Sequence, residues 1–186
     1  MTPLGAAGAR SALEHADQLY SAGEVSEALD RLAVEITAGF EDRDPLMLVV
    51  MHGGLIPAAQ LFVRLTFPFQ ISYVHVTRYA GGTRGGDLHW IARPSRSVAG
   101  RVVLVVDDIL DEGATLGAIV EELHKLGAAE IYTAVLVNKI HDRKQPGFEV
   151  DFVGLDVMDR YVFGCGMDYK EYFRNLPGIY ALKDAS

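Results

Sequence analysis

Apolar residues recur along this chain in two rhythms, and the alternation between them predicts a layered α/β protein. Leu29, Leu32, Ala33 and Ile36 fall at helical spacing within 22–39, and Ser21 stands three residues before Glu24, as in a capping box. A shorter helix is expected just before it, over 11–20. Asp42–Pro45 breaks the periodicity. Strand-length apolar runs then follow at Leu46–Met51, Ile71–Val76, Arg101–Val106, Glu130–Val137 and Asp151–Val157. Helices are expected between them, through Ala58–Leu65 and over Leu116–Leu126. Asp87–Ala92 reads as a returning strand after a glycine-rich connection. The tail offers Tyr161–Cys165 and a short helical turn near Asp168–Arg174. Strands alternating with helices predict a mostly parallel, twisted sheet flanked by helices, because each parallel connection must cross a face of the sheet.

Chemistry concentrates where these strands end. The run Val102–Val106 closes on two adjacent carboxylates, Asp107 and Asp108, and a third, Asp111, opens the loop Glu112-Gly113-Ala114-Thr115 before a helix. Ligands of open α/β sheets bind outside the carboxyl ends of strands. Backbone N–H groups from Asp111 to Thr115 would sit at a helix amino terminus, where the dipole and unpaired donors favour a phosphate. Gly113 lets that backbone come close, and the Thr115 hydroxyl adds a donor. Asp107 and Asp108 are poor phosphate ligands; they suit sugar hydroxyls or the water shell of a magnesium ion. The same residues also fit an acidic loop that merely caps a helix. His52-Gly53-Gly54 follows another strand, a weak signal by itself, since an ordinary turn needs little more. Arg78 to Gly86 holds four glycines in nine residues, which fits a hairpin connection or a closing loop.

Composition narrows the setting. At 186 residues the chain is long enough for one domain with a full core. Seventeen basic against twenty-five acidic residues give a net charge of −8, which disfavours a nucleic-acid partner, because neutralising phosphates needs a basic surface. No apolar run approaches eighteen residues and residues 1–20 lack a leader pattern, so no membrane span is expected. Cys165 stands alone, which excludes an intramolecular disulfide and fits a reducing cytoplasm; it reads as a small core residue rather than a nucleophile. Trp90 reads as packing on the returning strand.

The segment from Val102 to Leu116 resembles the PRPP (5-phosphoribosyl 1-diphosphate) signature of the type I phosphoribosyltransferases: an apolar strand, two acids, two apolar residues, then Asp111, Gly113 and Thr115. Glu112 departs from the pattern, standing where the family usually has a hydroxyl residue. That substitution removes one donor and brings a negative charge near the 5′-phosphate. Asp151-Phe152-Val153-Gly154, Asp159–Gly164 and Met167–Arg174 resemble the 6-oxopurine subclass, the hypoxanthine-guanine enzymes, and the likeness runs from about 22 to 182.

The resemblance implies a single domain over 1–186, with a core at about 45–145 and a small hood built from 1–40 and 150–186. It implies magnesium-dependent transfer of ribose 5-phosphate from PRPP to hypoxanthine or guanine, giving IMP or GMP and pyrophosphate. Asp111 becomes the general base, and Asp107, Asp108, Glu112, Gly113, Ala114 and Thr115 hold the sugar phosphate with it. Met51, His52, Gly53 and Arg174 bind pyrophosphate, and the peptide between the first two residues of that loop can be cis in relatives. Arg78, Tyr79, Gly81, Gly82, Arg84 and Gly85 form a flexible lid that excludes water. Lys139 meets the purine 6-oxo group, Tyr161 stacks on the ring, Val162 reads the base through its backbone, and Asp168 holds magnesium beside Asp107 and Asp108. A homodimer or homotetramer is implied as well. A xanthine- or adenine-preferring transferase, or a PRPP-sensing regulator that binds nucleic acid, are the alternatives.

Overall fold

The computed structural model describes residues 4–78 and 88–183. Helix α1 (Gly5–Glu14) leads into a strand, β1 (Asp17–Tyr20), and then the long helix α2 (Ala22–Phe40). The capping box of α2 forms: the Ser21 hydroxyl accepts from the Glu24 backbone at 3.3 Å, and the Glu24 carboxylate accepts the Ser21 N–H at 2.8 Å. The expected helix over 11–20 is thus wrong in its second half. Residues 17–20 pair antiparallel with β9 (Ile179–Ala181), a partner some 160 positions away that no local periodicity reveals.

The main sheet holds six strands in the order β4-β3-β2-β5-β6-β7. These are β2 (Leu46–Met51), β3 (Gln70–Arg78), β4 (Leu88–Ala92), β5 (Val102–Leu110), β6 (Glu130–Ile140) and β7 (Phe152–Met158). Every pairing is parallel except β3 with β4. Helix α3 (Leu55–Phe62) joins β2 to β3, and α4 (Ala114–Lys125) joins β5 to β6. Strand β5 runs on past Val106 through both aspartates to Leu110, because β6 continues beside it to pair Asp107 with Val135 and Leu110 with Asn138.

The two faces of the sheet carry separate cores. On one, Ile36 and Phe40 of α2 and Leu61 of α3 pack on Met47 and Leu104; on the other, Leu116, Ile119 and Leu123 of α4 pack with Leu48 and Val105. A second, three-stranded sheet of order β1-β9-β8, with β8 at Val162–Phe163, ties the amino-terminal and carboxy-terminal segments together, while α2 and β7, which fall inside the expected hood bounds of 1–40 and 150–186, belong with the main sheet.

The tail near Asp168–Arg174 is not helical. Lys170, Glu171 and Phe173 have positive φ, which a right-handed helix cannot continue, and Gly164 bridges Met167 while Tyr169 bridges Tyr172. Phe163 anchors this turn, with Phe173 and Tyr180 at centroid distances of 5.5 and 5.8 Å. Cys165 is fully buried, and burial pushes its thiol up to about 11, as suits a packing residue. Among the described residues no helix is long and apolar enough to cross a membrane.

Candidate active site

The connection from β2 leaves toward β3 and that from β5 leaves toward β6, with α3 and α4 on opposite faces. The crevice between the carboxyl ends of β2 and β5 is therefore the point where the winding reverses, the place such sheets leave open for a ligand. A cleft of ≈ 260 Å³ lies there, lined by Met51, His52, Gly53, Asp107, Asp108, Asp111, Glu112, Gly113, Thr115 and Arg174. A second cleft of ≈ 230 Å³ shares Asp108, Ile109 and Asp111 with it and adds Lys139, Tyr161, Val162, Met167 and Asp168. Two compartments thus meet at the carboxyl end of β5 and the first residue after it.

The amino terminus of α4 faces the first compartment. Gly113 is its N-cap at φ +88°, a backbone conformation open to glycine, and no side chain caps the helix. The first-turn N–H groups lack a capping side chain and the first turn carries no acid, so an anion would be received favourably. Ala114 begins the helix without lining the cleft. The Glu112 carboxylate reaches within 4.0 Å of Arg143 Nε and is about half exposed.

Asp107 and Asp108 form the floor and are both buried. The Asp108 N–H donates to Asp107 Oδ1 at 2.9 Å. Burial, and after it the charge of Asp108, pushes the Asp107 carboxyl well above its usual value. Burial raises Asp108 too, against the pull of Asp107's hydrogen bond and the Arg174 guanidinium. Two buried acids under this strain of charge fit a hard cation or sugar hydroxyls, either of which would relieve it. Elsewhere, Asp111, His141 and Asp159 each bring one ligand atom within 4.8 Å of the others, a set that could hold a metal ion.

Asp111 behaves in the opposite way. Burial tends to raise it, but hydrogen bonds from Lys139 and His141 outweigh that and leave its carboxyl below the usual range. Lys139 Nζ sits 2.9 Å from Oδ2, and His141 Nε2 sits 2.9 Å from Oδ1. The Asn138 amide next to Lys139 donates to Asp156 Oδ1 at 2.7 Å.

The loop after β2 is built against the acid pair. The Met51–His52 peptide is cis. A Cβ on Gly53 would stand 2.1 Å from Asp108 Oδ2, so any side chain there would displace the Asp108 carboxylate. One on Gly166 would stand 2.2 Å from the Gly53 carbonyl oxygen, which seats the tail directly on this loop. His52 packs against His75, centroids 4.4 Å apart, and burial followed by the His52 charge lowers the His75 pKa.

Across the second cleft, Tyr161 is half exposed and meets Tyr169 edge-on at 5.7 Å. Val162 is buried in β8, its backbone paired with β9. Asp168 is held by Arg174 Nη2 at 2.6 Å and by the Glu171 N–H at 2.7 Å, and Arg174 also donates to the Gly166 carbonyl at 2.7 Å.

The structure thus gathers the candidates from three loops and the tail around two adjoining clefts. Of the glycine-rich segment, Arg78 ends β3, while Tyr79, Gly81, Gly82, Arg84 and Gly85 lie outside the described residues. Sequence reasoning missed His75, His141, Asp159 and Gly166. His141 follows a strand end within His141-Asp142-Arg143-Lys144, where it reads as part of an ordinary charged loop. Only the order Gly164-Cys165-Gly166 hinted at a close approach.

Comparisons with known proteins bear on the family and the fold. The phosphoribosyl transferase domain matches residues 15–171. The chain is 34% identical over 168 residues to the hypoxanthine-guanine phosphoribosyltransferase of Bacillus subtilis, covering 90% of this chain and 93% of that one. It is 30% identical over 167 residues to the hypoxanthine-guanine-xanthine phosphoribosyltransferase of Tritrichomonas foetus, covering 90% and 91%. A crystal structure of a hypoxanthine phosphoribosyltransferase from Staphylococcus aureus superposes with a TM-score of 0.84 at 27% identity, covering 90% and 91% of the two chains.

Proposed function

The chain belongs to the phosphoribosyl transferase family, and from that premise we propose that it transfers ribose 5-phosphate from PRPP to hypoxanthine or guanine, releasing pyrophosphate. The observation that carries this reading is the pair of clefts joined at Asp108–Asp111, one suited to a sugar phosphate and the other to a planar base. In this reading residues 1–186 act as one domain of a cytoplasmic homodimer or homotetramer.

The α4 amino terminus, with Gly113, Ala114 and Thr115, receives the 5′-phosphate, and Glu112 contributes its backbone while its carboxylate turns toward Arg143. Asp107 and Asp108 accept the ribose hydroxyls. Met51, His52 and Gly53 face the diphosphate with Arg174, which offsets charge on the leaving group. Asp107, Asp108 and Asp168 are the side chains that would hold a magnesium ion, mostly through water, and its charge would help neutralise pyrophosphate.

On the other side, Tyr161 stacks on the purine and the Val162 backbone reads its edge. Lys139 turns from Asp111 to donate to the 6-oxo oxygen. A 6-amino group offers a donor there and leaves the ammonium unmatched, which makes discrimination steep. A purine nitrogen then bonds to the anomeric carbon as the carbon–oxygen bond to pyrophosphate breaks, the electron pair leaving with the diphosphate. Asp111 takes the proton from the other imidazole nitrogen of the base. Its low pKa keeps it ionised at rest, and the departure of Lys139 strengthens it as a base.

Steady-state pyrophosphate release with PRPP and each of hypoxanthine, guanine, xanthine and adenine tests the proposal. Turnover with the first two and little with adenine is the expected result. Preference for adenine, or no turnover with any base together with retention of nucleic acid on a filter, would overturn it.

A further inference from the structure

Each oxygen of Asp111 has its own partner, and the two partners differ in kind. Oδ2 is held by Lys139, a charged group on a flexible stem that lines the second cleft. Oδ1 is held by His141, whose side chain is only 3% exposed. The other ring nitrogen of His141, Nδ1, accepts the backbone N–H of Arg143 at 3.1 Å. A ring nitrogen that accepts a hydrogen bond carries no proton, so the proton sits on Nε2 and a neutral imidazole donates to Asp111. Arg143 is itself clamped by two guanidinium donors onto Asp159, which steadies the turn that orients the ring. One oxygen of the carboxylate is therefore gripped from behind by a buried, neutral donor, and the other by a donor able to leave.

We propose that His141 is the positioning residue of the general base: it fixes Oδ1 so that Asp111 presents Oδ2, and Oδ2 alone, to the purine nitrogen when Lys139 moves to the 6-oxo group. The inference rests on the transferase reading above and adds to it an assignment of roles to the two oxygens. A cation bound by the same three side chains would require Nε2 to give up that proton and would sit beside Lys139 Nζ, which is 2.9 Å from Asp111 and 4.0 Å from Asp159.

His141→Phe keeps a ring and removes the donor, while His141→Gln restores an N–H near the position of Nε2. With hypoxanthine and PRPP, His141→Phe is expected to lower kcat by roughly 10–100-fold, the range corresponding to a hydrogen bond to a charged group. The KM for PRPP should stay close to that of the parent, and His141→Gln should recover most of the loss. Nitrogen NMR of the parent ring should show Nε2 protonated and Nδ1 accepting at neutral pH. A folded His141→Phe with parental kcat, or a proton on Nδ1, would overturn the proposal. If the Phe variant does not fold, the Gln variant and the NMR tautomer decide, a failure of Gln to retain most of kcat counting against it. A parent chain that releases no pyrophosphate with any purine defeats the transferase reading itself, an outcome distinct from active protein indifferent to His141.

Discussion

At the scale of single residues, Asp111 is the group whose removal should be most visible in the chemistry. Its carboxylate stands between the two clefts with a donor on each oxygen. Asp111→Asn keeps the shape and the acceptor on one side but cannot take a proton. It should lower kcat by about 10²–10⁴, the usual share of acid–base catalysis, with a smaller effect on the KM for PRPP. A folded Asp111→Asn with unchanged turnover would show that the proton goes elsewhere. The acids and Gly113 were legible in the sequence because a strand, two carboxylates and a glycine before a helix carry their geometry in their spacing. His141 and Gly166 were not. Their importance comes from what lies across space: an Asp111 oxygen 30 positions earlier in one case, the Gly53 carbonyl 113 positions earlier in the other. A sequence without relatives beside it records no such encounter.

At the scale of elements, local signals worked where an element is stabilised locally. Helix α2 has its cap and stripe in sequence, and both form. Strand β1 fails as a local reading because its ladder is supplied by β9, and the tail turn fails because three left-handed residues are imposed by its packing around Phe163. The hood is consequently held by few, long-range bonds. Arg160 is central among them: its Nη2 donates to Asp17 Oδ2 at 2.6 Å and to the Leu182 carbonyl at 2.7 Å, just before Tyr161 and Val162 line the second cleft, where the base is proposed to bind. Arg160→Met should loosen β1 from the chain end and let Tyr161 and Val162 drift. The expected signature is a KM for hypoxanthine raised roughly tenfold, in line with loss of a charged hydrogen bond, while the KM for PRPP changes little. Equal rises in both constants would mean that the hood supports the whole site rather than the base side.

At the scale of the whole molecule, two sets of carboxylates pull stability in opposite directions with pH. Asp111 and Asp159 are lowered from a usual value of 3.8, Asp111 by the Lys139 and His141 hydrogen bonds that overcome its burial and Asp159 by its bond from Arg143. Their contribution is present above 3.8 and is lost as pH falls through the depressed folded values. Asp107 and Asp108 are raised from the same 3.8, chiefly by burial. Their folded forms hold protons more tightly than the unfolded chain does, so their contribution is present below 3.8 and is lost as pH rises through the raised values. Although His75, lowered from 6.5, favours the fold as pH rises toward 6.5, the buried pair should make the Tm of the ligand-free chain fall toward the alkaline end of the roughly pH 5–8 window common to folded proteins. Self-repulsion from a net charge of −8 acts in the same sense, so the buried pair has to be separated from it. Asp107→Asn retains the acceptor for the Asp108 N–H and removes one buried charge, whereas Glu35→Gln removes one exposed charge from α2. Melting curves in EDTA from pH 5 to pH 8 should show a flatter alkaline limb for Asp107→Asn and the parental slope for Glu35→Gln. The same Asp107→Asn protein should transfer ribose phosphate poorly, because in the proposed reaction the acid that destabilises the empty fold is one that grips the sugar. Parallel alkaline limbs in all three proteins would mean that general repulsion, and not the buried pair, sets the stability of the unliganded enzyme.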